Sequence, residues 1–395
     1  MKIPFFRPTI EKEEIAEVVD CLKSGWLTTG PKTKQFEVEF ADYVGAKHAV
    51  ALNSATAALH LALESIGLQR GDAVLVPTMT FAATAEVVRY FDATPILVDC
   101  REDDFNLDVV KAREAALVAV RSGAKLKAVL PVHYGGQACD MAGVKSLAAD
   151  FDLKVIEDAA HCCPASYLDE QSGDWLKVGA ESNVACYSFY ANKCITTGEG
   201  GMACTDDDKL ADRMRIMALH GISKDAWNRF TAQGSWYYEI IAPGYKYNLT
   251  DIASSIGIHQ LRKANYFREQ RERVANVYSK LLSKSDCLTL PCCHINRIHS
   301  WHLYVIRLNL ESLRIDRAAV MDELKVAGVG ASVHWIPLHM HPYYREKFGY
   351  QPDDLPVAAR ISMQNISLPI YPSMTDAEIE YVVDTLLTII RNNRR

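Results

Sequence analysis

The fold of this chain is decided by three neighbouring stretches, Val155–His161 (VIEDAAH), Ser188–Lys193 (SFYANK) and Thr196–Gly201 (TTGEGG). An acidic pair ends one apolar run, a lysine follows a second apolar run, and a glycine-rich loop comes directly after. A pyridoxal phosphate enzyme needs a lysine that forms an imine with the cofactor aldehyde, and a carboxylate that keeps the pyridine nitrogen protonated. Lys193 and Asp158 supply these groups, so the segment predicts a pyridoxal phosphate enzyme.

Each feature also has an ordinary structural interpretation. A strand that ends in two acidic residues is usually a solvated terminus, and a single lysine is usually a surface charge. In combination the two are better explained by a ligand, because ligands collect beyond the carboxyl ends of strands in open α/β sheets. Burial beside a cofactor also lowers the pKa of a lysine toward the range where its amine is nucleophilic.

A phosphate site is predicted in the segment from Leu52 to His60, where small residues begin a helix. Free backbone N–H groups, the helix dipole and the Thr56 hydroxyl suit a phosphate, although a simple helix cap gives the same pattern. Ser188 offers a further hydroxyl. Phe81 follows a strand end at the same edge of the sheet and is a candidate to stack on the cofactor ring, with core packing as the alternative.

The composition excludes several classes of protein. Charged residues make up 23% of the 395 residues and the formal net charge is -6, without the basic excess that nucleic acid or a membrane surface requires. No apolar stretch approaches the roughly 18 residues of a membrane span, and the N-terminus lacks a signal segment. We therefore expect neither nucleic acid nor a membrane as a partner.

The cysteines and histidines indicate a reducing compartment without a metal site. The eleven cysteines are odd in number and form no Cys-x-x-Cys pair, which predicts free thiols and a cytoplasmic location. The histidines are not spaced as ligands on one element, so no metal is expected.

The order of the patterns predicts a large α/β domain followed by a smaller one. Strands are predicted near 73–77, 95–99, 128–132 and 154–157, with helices such as 82–92 and 141–151 between them, which indicates a largely parallel sheet. Further helices are predicted at 207–219 and 250–284. Strands at 302–308 and 330–334 and helices at 316–327 and 375–391 follow. We place the large cofactor-binding domain at 1–250, and interdomain helices with a small C-terminal α/β domain at 251–395.

Six motifs in this order are similar to those of the DegT/DnrJ/StrS-type sugar aminotransferases. The resemblance runs from about residue 3 to residue 390. The motifs are Gly25–Pro31, Val76–Phe81, Glu157–His161, Ser188–Phe189 with Lys193, Thr197–Gly201 and Pro243–Asn248.

The resemblance implies the fold type I architecture of pyridoxal phosphate-dependent transferases, like that of aspartate aminotransferase, in a homodimer with shared active sites. It implies that Lys193 binds the cofactor covalently, that Asp158 contacts its pyridine nitrogen and that His161 lies near its phenolic oxygen. Phe81 would stack on the ring. The phosphate would be held by Ala55, Thr56 and Ser188, and Lys246 stands where relatives place an asparagine from the neighbouring subunit, with Asn248 two residues on.

The resemblance also favours a substrate. Relatives that aminate carbon 4 of a sugar tend to carry histidine at the position of His161, whereas those acting on carbon 3 carry glutamine. The implied reaction moves an amino group from L-glutamate to a UDP-linked 4-keto-6-deoxyhexose or 4-keto-pentose, for a surface glycan such as lipopolysaccharide. The candidate sugar-facing residues are Trp26, Thr28, His220, His334 and His339.

Three alternatives stay open at this point. The first alternative is an aminotransferase for a GDP- or dTDP-linked keto sugar, which includes 3-keto sugars. A related sugar dehydratase has histidine in place of the lysine, which Lys193 argues against. The third alternative is a regulatory protein that keeps the fold without turnover, and conversion of the cofactor by glutamate separates it from an enzyme.

Overall fold

The computed structural model describes residues 1–223 and 238–395. Its strands are β1 (His48–Leu52), β2 (Asp72–Pro77), β3 (Thr94–Val98), β4 (Lys125–Val129), β5 (Lys154–Asp158), β6 (Ser166–Leu168), β7 (Trp175–Lys177), β8 (Val184–Ser188), β9 (Gly201–Thr205), β10 (Leu288–Thr289), β11 (Arg297–Ile298), β12 (Tyr304–Leu308) and β13 (Asn365–Leu368).

The α-helices in the described residues alternate with these strands over the first half of the chain. They are α1 (Lys12–Ser24), α2 (Pro31–Val44), α3 (Ala55–Ser65), α4 (Ala82–Arg89), α5 (Val109–Arg121), α6 (Met141–Phe151), α7 (Asp208–Ala218), α8 (Asp251–Arg262), α9 (Ala264–Leu282), α10 (Arg317–Val326), α11 (Pro342–Phe348), α12 (Pro356–Gln364) and α13 (Asp376–Asn392).

A seven-stranded sheet organises the large part of the molecule, in the order β1-β9-β8-β5-β4-β2-β3. The pairs from β8 to β3 are parallel, and only β9 runs against its neighbours. Strands buried on both faces need apolar residues at nearly every position, which β2 (DAVLVP) and β8 (VACYS) supply. The predicted mostly parallel sheet is confirmed.

Helices cover both faces of this sheet. On one face α2 and α6 bury residues such as Phe36, Phe40 and Leu147 in one apolar cluster. On the other face α3, α4 and α7 bury residues such as Leu61 and Val87 in a second cluster. The two layers fix the strands, so the carboxyl ends of β5 and β8 lie side by side and Asp158 pairs with Cys186.

A smaller antiparallel sheet, β10-β12-β13, forms the second part of the structure. It packs with α9, α10 and α13 around a separate apolar cluster that includes Tyr304 and Leu386. Ile3 belongs to this cluster and forms a bridge with Val329, so the N-terminus reaches the smaller sheet. The domain boundary at residue 250 stays a prediction.

Two predicted elements differ in the structure. The predicted helix 250–284 is two helices that meet at Lys263, and the ammonium of this residue pairs with glutamates at the start of α1 and just before it. Because no glycine or proline stands at this position, the sequence carries no signal for the break between the two helices. The predicted strand 330–334 is not a regular strand, because the N–H groups of Gly330 and Ser332 donate to separate segments, to the carbonyls of Ile3 and Ser367.

Among the described residues, we find no helix with both the length and the apolar character of a bilayer span.

Candidate active site

A cavity of about 490 Å³ opens at the carboxyl ends of β5 and β8. Its wall is formed by the ends of central strands, the first turns of α3 and α4, and three residues from the C-terminal part of the chain, His302, His334 and Trp335. The lining residues are Ser54, Ala55, Thr56, Leu59, Thr80, Phe81, Ala83, Val132, Asp158, Ala160, His161, Ser188, Tyr190, Asn192, Lys193, Glu199, Gly200, His302, His334 and Trp335.

Lys193 lies on this wall in a turn after β8, where its backbone N–H donates to the carbonyl of Tyr190 at 2.9 Å. The side chain keeps some access to the cavity while the protein surrounds most of it. Burial lowers the pKa of the Lys193 ammonium to about 8, and the negative charge of Asp158 opposes that shift. A large fraction of this lysine is therefore a neutral, nucleophilic amine near pH 8.

Asp158 ends β5 and is held by two hydrogen bonds. The Thr84 hydroxyl donates to Oδ2 at 2.8 Å, and the backbone N–H of Ala160 donates to Oδ1 at 3.1 Å. Burial raises the pKa of the Asp158 carboxyl, while these two hydrogen bonds act in the opposite direction. Within the described residues no cation forms an ion pair with Asp158, and a buried carboxylate of this kind favours a cationic ligand atom.

His161 contributes a neutral ring at the same wall. Its Nδ1 accepts a hydrogen bond from the backbone N–H of Gly135 at 3.2 Å, which leaves the ring proton on Nε2. Burial lowers the pKa of His161 well below its usual range, so the ring stays neutral. The Trp335 ring stacks on it at 5.2 Å and the His302 ring lies at 4.2 Å.

A nest of small residues forms another part of the cavity. The Ser54 hydroxyl caps α3 by accepting from the N–H of Ala57 at 3.1 Å, so the first N–H groups of α3 face outward. Gly201 lies so close that a Cβ there would stand 2.4 Å from the carbonyl of Ser54. Helix N–H groups together with the Thr56 and Ser188 hydroxyls suit a phosphate.

These donor groups fit pyridoxal phosphate. The cavity offers a lysine with a lowered pKa, a buried carboxylate, and a helix N-terminus with small residues. When bound, the cofactor withdraws electrons from the carbon attached to the reacting nitrogen. Lys193 would hold it covalently, Asp158 would pair with the protonated pyridine nitrogen, and the first turn of α3 would hold the phosphate.

The sequence matches the DegT/DnrJ/EryC1/StrS aminotransferase family over residues 8–387. The chain belongs to this family. This DegT-family protein is therefore a pyridoxal phosphate-dependent aminotransferase, and the expected fold type I architecture and cofactor are confirmed.

Relatives and solved structures match the DegT-family chain over nearly its whole length. It is 45% identical over 392 residues to an uncharacterized protein of Methanocaldococcus jannaschii, covering 99% of this chain and 98% of the relative. It is 43% identical over 390 residues to the spore coat polysaccharide biosynthesis protein SpsC of Bacillus subtilis, covering 98% and 97%. The structure of Spr1654 from Streptococcus pneumoniae, assigned as a sugar aminotransferase, superimposes with a TM-score of 0.88 at 31% identity over 99% of both chains. That protein has been solved with pyridoxal and with pyridoxamine phosphate.

The structure brings most of the predicted cofactor residues to one cavity. The predicted residues that line it are Ala55, Thr56, Phe81, Asp158, His161, Ser188, Lys193 and His334. Phe81 is 61% exposed, so its ring is available to a ligand and is not packed in the core of this chain.

The other predicted residues lie outside the cavity in this chain. Trp26 donates from its indole to the Thr29 carbonyl, and Thr28 and His220 are exposed. His339 is fully buried, with Nδ1 on the Thr78 hydroxyl at 2.8 Å and Nε2 on the Pro352 carbonyl at 3.3 Å. His339 is thus a buried histidine with both ring nitrogens bonded, and it is not among the residues that line the cavity.

Lys246 and Asn248 lie beside the phosphate end without lining it. The Lys246 ammonium donates to the Asn248 side chain, and the Asn53 amide donates to the Lys246 carbonyl at 3.3 Å. In this chain the two side chains bond to each other. Their contact with a phosphate of a neighbouring subunit stays a prediction.

Sequence reasoning missed several residues around the cavity. Thr84 was not predicted, because its hydroxyl reaches the Asp158 carboxylate only through the position of the first turn of α4. His302 and Trp335 come from distant parts of the chain, and no spacing along the sequence links them to His161.

Proposed function

We propose that this protein transfers the amino group of L-glutamate to the 4-keto carbon of a nucleotide-linked sugar. In the overall reaction, glutamate becomes 2-oxoglutarate and the keto sugar becomes an amino sugar, with no external oxidant or reductant. The family assignment supports amino transfer to a sugar.

The observation that carries the choice of carbon 4 is the placement of His161. This histidine lies in the cavity wall and accepts a hydrogen bond from the N–H of Gly135, and its Nε2–H has no acceptor among the residues that the structure describes. A glutamine, as in relatives that act on carbon 3, cannot stack against Trp335 in the same way. His161 therefore favours the 4-keto class.

Lys193 is the group that moves protons in this proposal. Its amine, with a pKa of about 8, can accept a proton from the substrate carbon and return it at neutral pH. Thr84 and the N–H of Ala160 hold the Asp158 carboxylate in place, where it would pair with the protonated ring nitrogen of the bound cofactor.

We further propose that the sugar carries UDP and is a 6-deoxyhexose or a pentose, with the product entering a surface polysaccharide. SpsC of Bacillus subtilis, a relative at 43% identity, is a spore coat polysaccharide biosynthesis protein, which supports such a product. A cytoplasmic location fits eleven free cysteines. A homodimer with shared sites fits the exposure of Phe81 at the cavity.

The experiment is an assay of the purified enzyme with L-glutamate and a panel of UDP-, dTDP- and GDP-linked 4-keto and 3-keto sugars. Formation of 2-oxoglutarate that depends on a UDP-linked 4-keto sugar supports the proposal. Turnover confined to a 3-keto sugar, or to a dTDP or GDP sugar, contradicts the substrate part and leaves the aminotransferase assignment intact.

A further inference from the structure

His302 is a buried cavity residue whose ring has an unused hydrogen-bonding atom. Its side chain is on the cavity wall, the residue is only 5% exposed, and its Nδ1 has no hydrogen-bond partner in the described part of the chain. The other two histidines of the wall differ. Nδ1 of His161 accepts from Gly135, and Nδ1 of His334 pairs with the Ser367 hydroxyl at 2.8 Å. A buried polar atom without a partner is costly unless a ligand supplies one.

The backbone around His302 is rigidly positioned. Trp301 has a φ of 51°, a left-handed conformation that is unfavourable for a non-glycine residue. It is held there because its N–H donates to Nδ1 of His299 at 2.8 Å and its carbonyl accepts from Arg271 at 3.3 Å. The N–H of Leu303 donates to the Gly135 carbonyl at 3.1 Å. These hydrogen bonds therefore fix the backbone that carries His302 at the cavity wall.

A positive charge without a counter-ion lies behind the same segment. Arg271 is 3% exposed and donates to the carbonyls of Trp301 and Ile370, and no carboxylate of the described residues lies within ion-pair distance of it. Its Nε has no hydrogen-bond partner there either. A buried guanidinium usually pairs with a carboxylate, so an anion is missing from this neighbourhood.

The charges around the ring favour an anionic ligand. Burial, followed by the charges of neighbouring groups that include Lys193 and Arg271, lowers the pKa of His302 well below its usual range. The ring is therefore neutral and can donate one N–H. The Arg271 guanidinium, which stays charged and opposes protonation of the ring, attracts a negative group, whereas a neutral sugar hydroxyl gains little from it.

We propose that His302 donates a hydrogen bond to a carboxylate of the amino donor, with Arg271 as the buried counter-charge behind it. This inference rests on the proposed function, because it takes L-glutamate as the donor. Of the two substrates that use the cavity in turn, the amino acid has one carboxylate on the carbon that carries its reacting nitrogen and a second at the end of its side chain. His302 is thereby a specificity residue for the first half of the reaction.

The test compares His302→Leu with His302→Asn in the enzyme loaded with pyridoxal phosphate. Leucine removes the donor, whereas the asparagine amide nitrogen stands near the position of Nδ1. Stopped-flow absorbance measures each half reaction separately, first with L-glutamate and then with a nucleotide-linked keto sugar added to the pyridoxamine form. We expect His302→Leu to raise the apparent dissociation constant for glutamate about 10- to 100-fold, because a hydrogen bond to a charged group is lost.

The asparagine variant and the sugar half reaction are the controls. We expect His302→Asn to stay within about threefold of wild type for glutamate, and the half reaction with the sugar to change less than about threefold in both variants. His48→Leu, a change at a histidine that pairs with Asp208 away from the cavity, should leave both half reactions unchanged. An unchanged glutamate affinity in His302→Leu, or an equal loss in both half reactions, overturns the inference.

Two glutamate analogues identify which carboxylate is bound. Isoglutamine has an amide in place of the α-carboxylate, and glutamine has one in place of the γ-carboxylate. For each analogue, the dissociation constant is divided by that of glutamate, in wild type and in His302→Leu. An analogue that lacks the carboxylate bound by His302 loses nothing further in the variant, so its ratio becomes smaller. If neither ratio becomes smaller, the inference is wrong. If wild type responds to another amino acid but not to glutamate, the donor in the proposed function is wrong, and the same variants are then measured with that amino acid.

Discussion

The Thr84 hydroxyl donates a hydrogen bond of 2.8 Å to Oδ2 of Asp158 and lies 2.7 Å from the Thr80 hydroxyl. All three side chains are buried. The first turn of α4 thus holds the carboxylate that is to meet the cofactor's pyridine nitrogen. Burial raises the pKa of Asp158, and among the interactions that oppose this shift the hydrogen bond from Thr84 is the largest.

Replacing Thr84 tests this link. Thr84→Val removes the donor with little change of shape, so the pKa of Asp158 should rise further and the carboxylate should be less well held. We expect the affinity for pyridoxal phosphate to fall about tenfold or more, as for a lost hydrogen bond to a charged group. Cofactor titration followed by absorbance measures it. Thr84→Ser keeps the hydroxyl and should bind nearly as wild type; equal losses in both variants would show that the hydrogen bond is not responsible.

The lowered pKa of Lys193 predicts a pH dependence for cofactor uptake. The neutral amine is the form that attacks an aldehyde, and it predominates above a pKa of about 8. The rate of uptake by the cofactor-free protein should therefore rise with pH, with a midpoint near 8, and then level off. Asp158 raises the pKa of Lys193, so Asp158→Asn should move the midpoint to lower pH. A midpoint near 10.5, the ordinary value for lysine, would contradict the burial argument.

The close approach of Gly201 to the Ser54 carbonyl predicts that any side chain there disturbs the phosphate end. In Gly201→Ala the new Cβ must push the Ser54–Ala55 backbone away, at a cost of about 1–3 kcal/mol in the free energy of unfolding. Affinity for pyridoxal phosphate should fall as well. Chemical denaturation and cofactor titration measure the two effects. Gly67→Ala is the control, because a Cβ at Gly67 meets no atom within 4 Å and only its positive φ adds a cost.

Lys193→Ala should abolish turnover and leave the fold intact. The side chain has no structural hydrogen bond from Nζ in the described residues, so stability should change little, while loss of the proton-transferring group should reduce the rate about a hundred- to ten-thousand-fold or more. Circular dichroism and a glutamate-dependent assay measure the two properties. Lys154→Ala, at the exposed start of β5, serves as the control. Full transaminase activity in Lys193→Ala would remove this lysine from the mechanism.

The sequence predicts the parallel sheet because its strands carry their apolar residues locally. Runs such as Val74–Val76 and Val155–Ile156 are buried on both faces of the sheet. A strand in this position needs consecutive apolar residues, and such runs can be recognised in the sequence. The same holds for the Asp158 and Lys193 pair, whose chemistry is unusual enough to stand out. Lys263 shows the limit, since helices α8 and α9 meet there without a glycine or proline.

Contacts across the fold are the part that the sequence does not reveal. His334 and His339 lie five positions apart and look alike in the sequence, yet one lines the cavity and the other is bonded to Thr78 and Pro352 inside the protein. Whether a histidine faces a ligand depends on residues far along the chain. For the same reason His302 could not be linked to His161 in advance.

The most direct test of the central claim is the absorbance spectrum of the purified enzyme with pyridoxal phosphate, recorded after L-glutamate and again after each nucleotide-linked keto sugar. The account predicts a band of the lysine-bound cofactor that glutamate bleaches and that one UDP-linked 4-keto sugar restores. A cofactor band that no amino acid bleaches would contradict amino transfer, and the regulatory alternative would then describe this protein better.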